Sequence, residues 1–268
     1  MKHEQIEGDT IDYHPCRYGN CRIFFRGPRK SLKDRYVTFI GSTETYGKGI
    51  ESPFPALVER ATGITCVNFG CVNASVDAFL PETTIHDACH GAALNIVQVM
   101  GAHNMSNRFY TVHPRRNDRF VRASSVMRAI YPEVDFTEFC FTRHMLASLY
   151  QLSPERFEII QSELQMAWRA RMRSFVEEIG AHTLLLWFSE TLPSDAHLSD
   201  RPDPMNGDPL FVTRSMIDEL RPHVQGVILV QPPARKGRDE GKSPLFSPEA
   251  HDMAAEVIAD ALAKRLQS

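Results

Sequence analysis

The segment Tyr36–Gly47, YVTFIGSTETYG, gathers residue types that do chemistry. An apolar run ends in Gly41-Ser42-Thr43-Glu44-Thr45-Tyr46-Gly47, a turn rich in hydroxyls, and then feeds a helix-like stretch, Ser52–Gly63. Strand, tight turn and helix is the arrangement in which α/β proteins present a nucleophile or hold an anion. Ser42 and Thr43 are the candidate nucleophiles or substrate anchors. A hydroxyl at its free pKa is a poor nucleophile and needs an adjacent base, and the extra methyl of Thr43 restricts its χ1. Glu44 is a candidate acid or base, and equally an acid that complements a helix start.

In an open parallel sheet, ligands bind beyond the carboxyl ends of the strands. Two more such ends are Asn68–Asn73 (NFGCVN) and Gly101–Asn104 (GAHN), which adds Asn73 and Asn104 as candidate binding residues. Downstream lies His113-Pro114-Arg115-Arg116-Asn117-Asp118-Arg119, with Arg108 before it and Arg122 after it. Arginines at that rim suit bidentate contact with a carboxylate, sulfate or phosphate; a solvated charged face fits the pattern equally. Candidate bases for the turn hydroxyls are His113, His144, His197 and His251, with Asp195-Ala196-His197 a short acid–histidine pair.

The elements that must position these residues are buried strands alternating with helices. Val37–Ile40, Cys66–Phe69, Ile96–Met100, Thr183–Phe188 and Val227–Val230 read as strands of a parallel sheet. Pro154–Gly180 is the clearest helix, with Phe157, Ile160, Leu164, Trp168, Met172, Phe175 and Ile179 at steps of three and four. Ser153 and Pro154 suit its N-cap and first turn, and a last helix starts near Ser247-Pro248-Glu249. The expected architecture is a three-layer α/β sandwich around a central parallel sheet of about five strands. Residues 1–35 are expected as an N-terminal arm, with a possible short edge strand at Cys21–Phe25, packed on a domain of residues 36–268. Residues 104–151 are expected as a helical insertion over the strand ends.

The totals narrow the function classes. The 268 residues are 43% hydrophobic and 24% charged, with net charge −3, a folded-domain composition without global attraction to nucleic acid. No run of roughly 18 apolar residues is long enough to span a membrane, and the N-terminus lacks a secretory pattern. Neither Cys16/Cys21 nor Cys66/Cys71 has C-x2-C spacing, so no structural metal and no cofactor is expected. The expected setting is cytoplasmic, with a small-molecule or glycan substrate, no nucleic-acid or membrane partner, and a monomer or homodimer.

The three strand ends together resemble the SGNH/GDSL hydrolase superfamily. The resemblance places the family's serine nucleophile on Thr43 and the preceding aspartate on Ser42. It makes the Gly70 N–H and the Asn104 amide oxyanion donors, and it implies an SGNH/flavodoxin-like fold with esterase or acyltransferase chemistry. The family's acid and base, counted back from Ser247-Pro248-Glu249-Ala250-His251, fall on Lys242 and Leu245, which cannot serve; His251 is the nearest histidine in register. The expected substrate is anionic or glycan-like, with Arg108, His113, Arg115 and Arg116 at its charged part. Arg116 and Ser124 also have the spacing of the 3′-phosphate contact in sulfonucleotide-dependent sulfotransferases, which resembles a transferase. A non-catalytic binding protein is the third reading.

Overall fold

The computed structural model describes residues 11–234 and 246–266. Five apolar runs form one parallel sheet: β1 (Tyr36–Gly41), β2 (Thr65–Gly70), β3 (Leu94–Gln98), β6 (Thr183–Phe188) and β7 (Gly226–Val230). Their order is β2-β1-β3-β6-β7, the 2-1-3-4-5 order of flavodoxin-like sheets. The three-layer SGNH/flavodoxin-like arrangement expected from sequence is therefore present. The chain turns one way from β1 to β2 and the other way to β3, so the crevice between β1 and β3 is the switch point where such folds bind ligands.

Alternate side chains of each strand feed the two layers. Val37, Phe39, Ile96, Leu184 and Leu186 face α2 (Phe54–Thr62) and α8 (Pro248–Leu266), against Phe54, Val58, Ala254 and Ile258. Ile40, Val67, Val97 and Leu185 join the core that contains α3 (Thr83–His90) and α6 (Pro154–Ile179). The expected stripe of α6 is buried from Phe157 to Ile179, and the Ser153 hydroxyl caps its start by accepting the Arg156 N–H at 3.3 Å. Trp168 donates from Nε1 to the Met100 carbonyl at 2.7 Å, which fixes α6 against the chain leaving β3.

Residues 104–151 carry more than helices. A β-hairpin, β4 (Tyr110–His113) and β5 (Arg116–Ala123), precedes α4 (Ser125–Ile130) and α5 (Thr142–Leu152). Two register shifts interrupt the hairpin, so its sequence lacks the clean alternation that marks a strand. Cys21–Phe25 is not a strand; only an isolated bridge, Cys16 to Phe25, forms there. Phe25 instead packs edge-on to Phe69, at 5.0 Å between ring centroids. The loop after β6 leads through α7 (Arg214–Asp218) to β7. No helix among the described residues is long and apolar enough to cross a membrane.

The short helix α1 (Thr43–Tyr46) lies across the end of β2 and stops at Gly47, whose φ of 72° is the left-handed region glycine tolerates. A Cβ on Gly70 would sit 2.2 Å from the Tyr46 backbone nitrogen, so β2 and α1 approach this closely only with glycine at that position. Gly70→Ala must push the helix outward. It is expected to destabilise the fold by about 2 kcal/mol or more, as overpacking does, read as a lower urea midpoint at unchanged slope.

Candidate active site

The ends of β1 and β3 open into a cleft of about 770 Å³. Its walls come from the α1 turn, Asn73, the segment after β3, the start of α5 and the loop around Asp208. One side chain joins the two strand ends. Gln98, the last residue of β3, accepts at Oε1 from the Ser42 N–H (3.0 Å), the Thr45 N–H (3.3 Å) and the Thr45 hydroxyl (2.6 Å). Its Nε2 donates to Glu44 Oε2 at 2.7 Å. Gly41 makes room for this, since a Cβ there would lie 2.4 Å from Gln98 Oε1.

Glu44 is 5% exposed, yet it lines the cleft. Burial, and next the charge of Asp208, push its carboxyl up to about 7; the Gln98 bond opposes them and is outweighed. Asp208 behaves oppositely. Burial alone would raise it, but Arg143 turns the balance and holds it below the ordinary carboxylate value. Arg143 donates from Nη2 to both Asp208 oxygens, at 2.7 and 2.9 Å, and from Nη1 to the Met205 carbonyl at 2.8 Å.

His103 Nε2 lies 3.4 Å from Arg143 Nη2. A guanidinium only donates, so Nε2 accepts and the ring proton sits on Nδ1. Burial, then Arg143, lower this imidazole to about 3, so it is neutral near pH 7 and spent on holding Arg143.

The hydroxyls of the turn have different fates. Thr43 Oγ1 donates to Asn73 Oδ1 at 3.1 Å and accepts the Asn73 N–H at 2.8 Å, so it is committed on both sides. Ser42 lines the cleft, and its hydroxyl has no hydrogen-bond partner among the described residues. No histidine bonds to either hydroxyl among the described residues. Asn73, at φ 56°, is itself anchored by Nδ2 to Asp118 Oδ2 at 3.1 Å. Asn104 accepts at Oδ1 from the Thr142 hydroxyl (2.6 Å) and donates one Nδ2 hydrogen to the Asn73 carbonyl (3.3 Å). Its second Nδ2 hydrogen has no partner among the described residues.

The cleft thus gathers Ser42, Thr43, Glu44, Asn73 and Asn104 from the sequence candidates, with His144 at its rim. The others lie elsewhere. His251 is buried against Phe54 and Phe188, accepts the Phe54 N–H at Nδ1 (3.2 Å), and is lowered to about 4 by burial and Arg26. It is a core residue in this fold and does not line the cleft. Gly70 donates its N–H to Asn68 Oδ1 at 2.8 Å, so that amide is used within the turn. Arg108 pairs with Glu163 at 3.4 Å, His113 accepts the Arg115 N–H, and Arg115 and Arg116 are exposed in the hairpin turn. None of these four lines the cleft. Ser124 caps α4 by accepting the Met127 N–H, and neither it nor Arg116 lines the cleft. Asp195 caps α7 through the Ser215 N–H, and His197 lies on the surface. Lys242 and Leu245 lie outside the described residues.

Sequence reading missed Gln98, His103, Arg143 and Asp208. Gln98 did leave a signal, as the one amide inside the apolar run Ile96–Met100. The partners of Arg143 and Asp208 come from different segments and leave none.

Because the folded carboxyl of Glu44 titrates near 7 and an unfolded one near 4.3, its contribution to stability is fully present below the unfolded value. It is lost as pH rises through the folded one. Between about pH 5 and 8, wild type is expected to lose roughly 2–3 kcal/mol of unfolding free energy relative to Glu44→Gln. Urea titrations of both proteins across that range check this; parallel pH curves would mean that Glu44 titrates normally.

Three solved structures resemble this one. A lipase/acylhydrolase from Enterococcus faecalis is 13% identical, with 87% of this chain and 97% of that one covered, at a TM-score of 0.47. A protein described as lipolytic and of the G-D-S-L family, from Desulfitobacterium hafniense DCB-2, is 14% identical over 85% of this chain and 100% of that one, at 0.42. A carbohydrate esterase family 2 enzyme with a carbohydrate binding domain, from Corynascus thermopiles, is 13% identical over 91% and 70%, at 0.45. No curated protein matches the chain in sequence. The family model described as "Domain of unknown function (DUF6473)" matches residues 1–268, and the chain belongs to that family.

Proposed function

We propose that the chain is an ester hydrolase or acyltransferase whose acid–base group is Glu44, acting on a neutral, hydroxyl-rich substrate such as a glycan ester. The observation that carries this is the Glu44 carboxyl: buried at the cleft, oriented by Gln98, and poised near 7. General acid–base groups work best with a pKa near the working pH. A carboxyl so tuned does the work that a serine–histidine pair does elsewhere.

In this reading Glu44 as carboxylate takes a proton from the attacking hydroxyl, a water for hydrolysis or an acceptor alcohol for transfer. The oxygen adds to the acyl carbonyl, and the free Nδ2 hydrogen of Asn104 supports the negative charge that develops there. The tetrahedral species then collapses, the ester C–O bond breaks, and Glu44 returns the proton to the leaving alcohol. Ser42 offers its hydroxyl to the substrate, while Thr43 keeps Asn73 in place.

Charge supports the neutral substrate over the anionic one. Glu44, Asp118, Asp203 and Asp208 line the cleft against the single arginine, Arg143, which Asp208 already neutralises. Carboxylates and amides of this kind accept and donate to sugar hydroxyls, whereas an anion would meet like charge.

Glu44→Gln is expected to lower kcat for an acetylated sugar by at least about 100-fold with KM little changed, the range for loss of a general base. In wild type, activity rises with pH through about 7. Ser42→Ala is expected to stay within about tenfold of wild type. An acyl group trapped on Ser42 and seen by mass spectrometry would replace this mechanism with a covalent one.

A further inference from the structure

The hairpin β4–β5 reaches the rim of the cleft at Asp118, which lines it together with Phe141 at the start of α5. Arg119, the next residue of β5, joins Phe141 in an isolated antiparallel bridge. Its guanidinium lies over the Phe141 ring, 4.5 Å from the centroid, and Phe141 is 42% exposed. Arg119 is half-buried, and its side chain makes no hydrogen bond or ion pair among the described residues. Stacking occupies the flat face of a guanidinium and leaves the N–H donors in its plane free. A side chain held in this way has already lost rotamer freedom, so it binds an anion at lower entropic cost than a loose one.

Arg119 does not stand alone. Between Pro114 and Met127 the chain carries Arg115, Arg116, Arg119 and Arg122 against one acid, Asp118. Arg116 and Arg122 are exposed, and their side chains also make no hydrogen bond or ion pair among the described residues. Asp118 is tied to Asn73 Nδ2 on the cleft side. The sign of the charge therefore changes across the rim, acidic in the cleft and basic beyond it. The arginines are also spread out. The stretch of β5 from Arg116 to Arg122 covers up to about 20 Å at the rise of a strand. One phosphate or sulfate does not span that; a chain with charges at intervals does.

We infer that the substrate is part of an acidic glycan chain. The neutral, esterified sugar lies in the cleft, and carboxylates on neighbouring sugars pair with Arg119, Arg116 and Arg122 beyond the rim. A guanidinium takes a carboxylate through two parallel N–H bonds. A nucleic acid fits less well, because each of its units carries a phosphate, and those at the cleft would meet Asp118, Asp203 and Asp208. The placing of the ester in the cleft rests on the reading above. The binding of the acid-bearing sugars rests on the arginines alone.

Hyaluronan hexasaccharide is an unreactive probe with this pattern, since neutral acetamido sugars alternate in it with carboxylate sugars. Chitohexaose carries the acetamido sugars without the carboxylates. Calorimetric titration of the full chain at low salt is expected to show hyaluronan binding at least about tenfold more tightly than chitohexaose, the sum of a few exposed ion pairs. In wild type the preference is expected to fall within about twofold at about 0.5 M salt, where exposed charges are screened. The same loss is expected at low salt in Arg116→Gln/Arg119→Gln/Arg122→Gln. Arg119→Lys keeps the charge but not the stacked fork, and is expected to weaken hyaluronan about threefold. Equal affinities in wild type would overturn the inference, as would a preference that survives the triple substitution. A thymidine oligonucleotide of equal charge that binds more tightly than hyaluronan would replace the glycan with a nucleic acid. The expected hyaluronan preference, with ester turnover indifferent to Glu44→Gln, would instead overturn the catalytic reading and leave the arginine rim standing.

Discussion

The Gln98 carboxamide is the interaction on which the site depends. It reaches from the end of β3 to the turn after β1 and satisfies two backbone N–H groups, one hydroxyl and one carboxyl. Each bond alone is worth about 1 kcal/mol, but each group left unpaired in this buried place would cost more. The single acceptor oxygen therefore sets the shape of the turn, and the single donor sets the direction of Glu44. Two glycines follow from that geometry: Gly41 leaves space for the carboxamide, and Gly70 lets α1 lie close on β2.

Electrostatics then divides the cleft into groups with distinct states. Glu44 is buried without a cation of its own and rises towards neutrality, while Asp208 is held ionised by Arg143. Environments that push two carboxyls apart in pKa assign one to proton transfer and the other to fixed charge. His103 is the third member. Its neutral ring accepts from Arg143, which makes it a support for the ion pair and removes it as a base. The turn hydroxyls have no histidine partner among the described residues, and in the proposed mechanism the proton acceptor at this rim is the Glu44 carboxyl.

Much of the fold was legible because its periodicities are long and strong. The stripe from Phe157 to Ile179 and the five apolar runs correspond to α6 and the sheet. Strand ends pointed to the cleft because any parallel sheet of this order binds ligands there. The hairpin β4–β5 escaped because its bulges and arginines break the alternation. Within the site, local spacing exposed Ser42, Thr43 and Glu44, which sit side by side. It could not expose Arg143 with Asp208, joined across 65 positions, or Gln98 with Glu44, joined across 54. His251 misled for a physical reason. A histidine early in the last helix fits a catalytic register, yet here its ring packs against both Phe54 and Phe188.

The chemistry of the cleft turns on the protonation of one carboxyl, and that can be observed directly. A carbon-13 NMR titration of the Glu44 side-chain carboxyl, assigned by its loss in Glu44→Gln, should give a midpoint of about 7. A midpoint near 4.3, the value of an exposed glutamate, would contradict the burial-driven tuning and remove Glu44 as the acid–base group of this site.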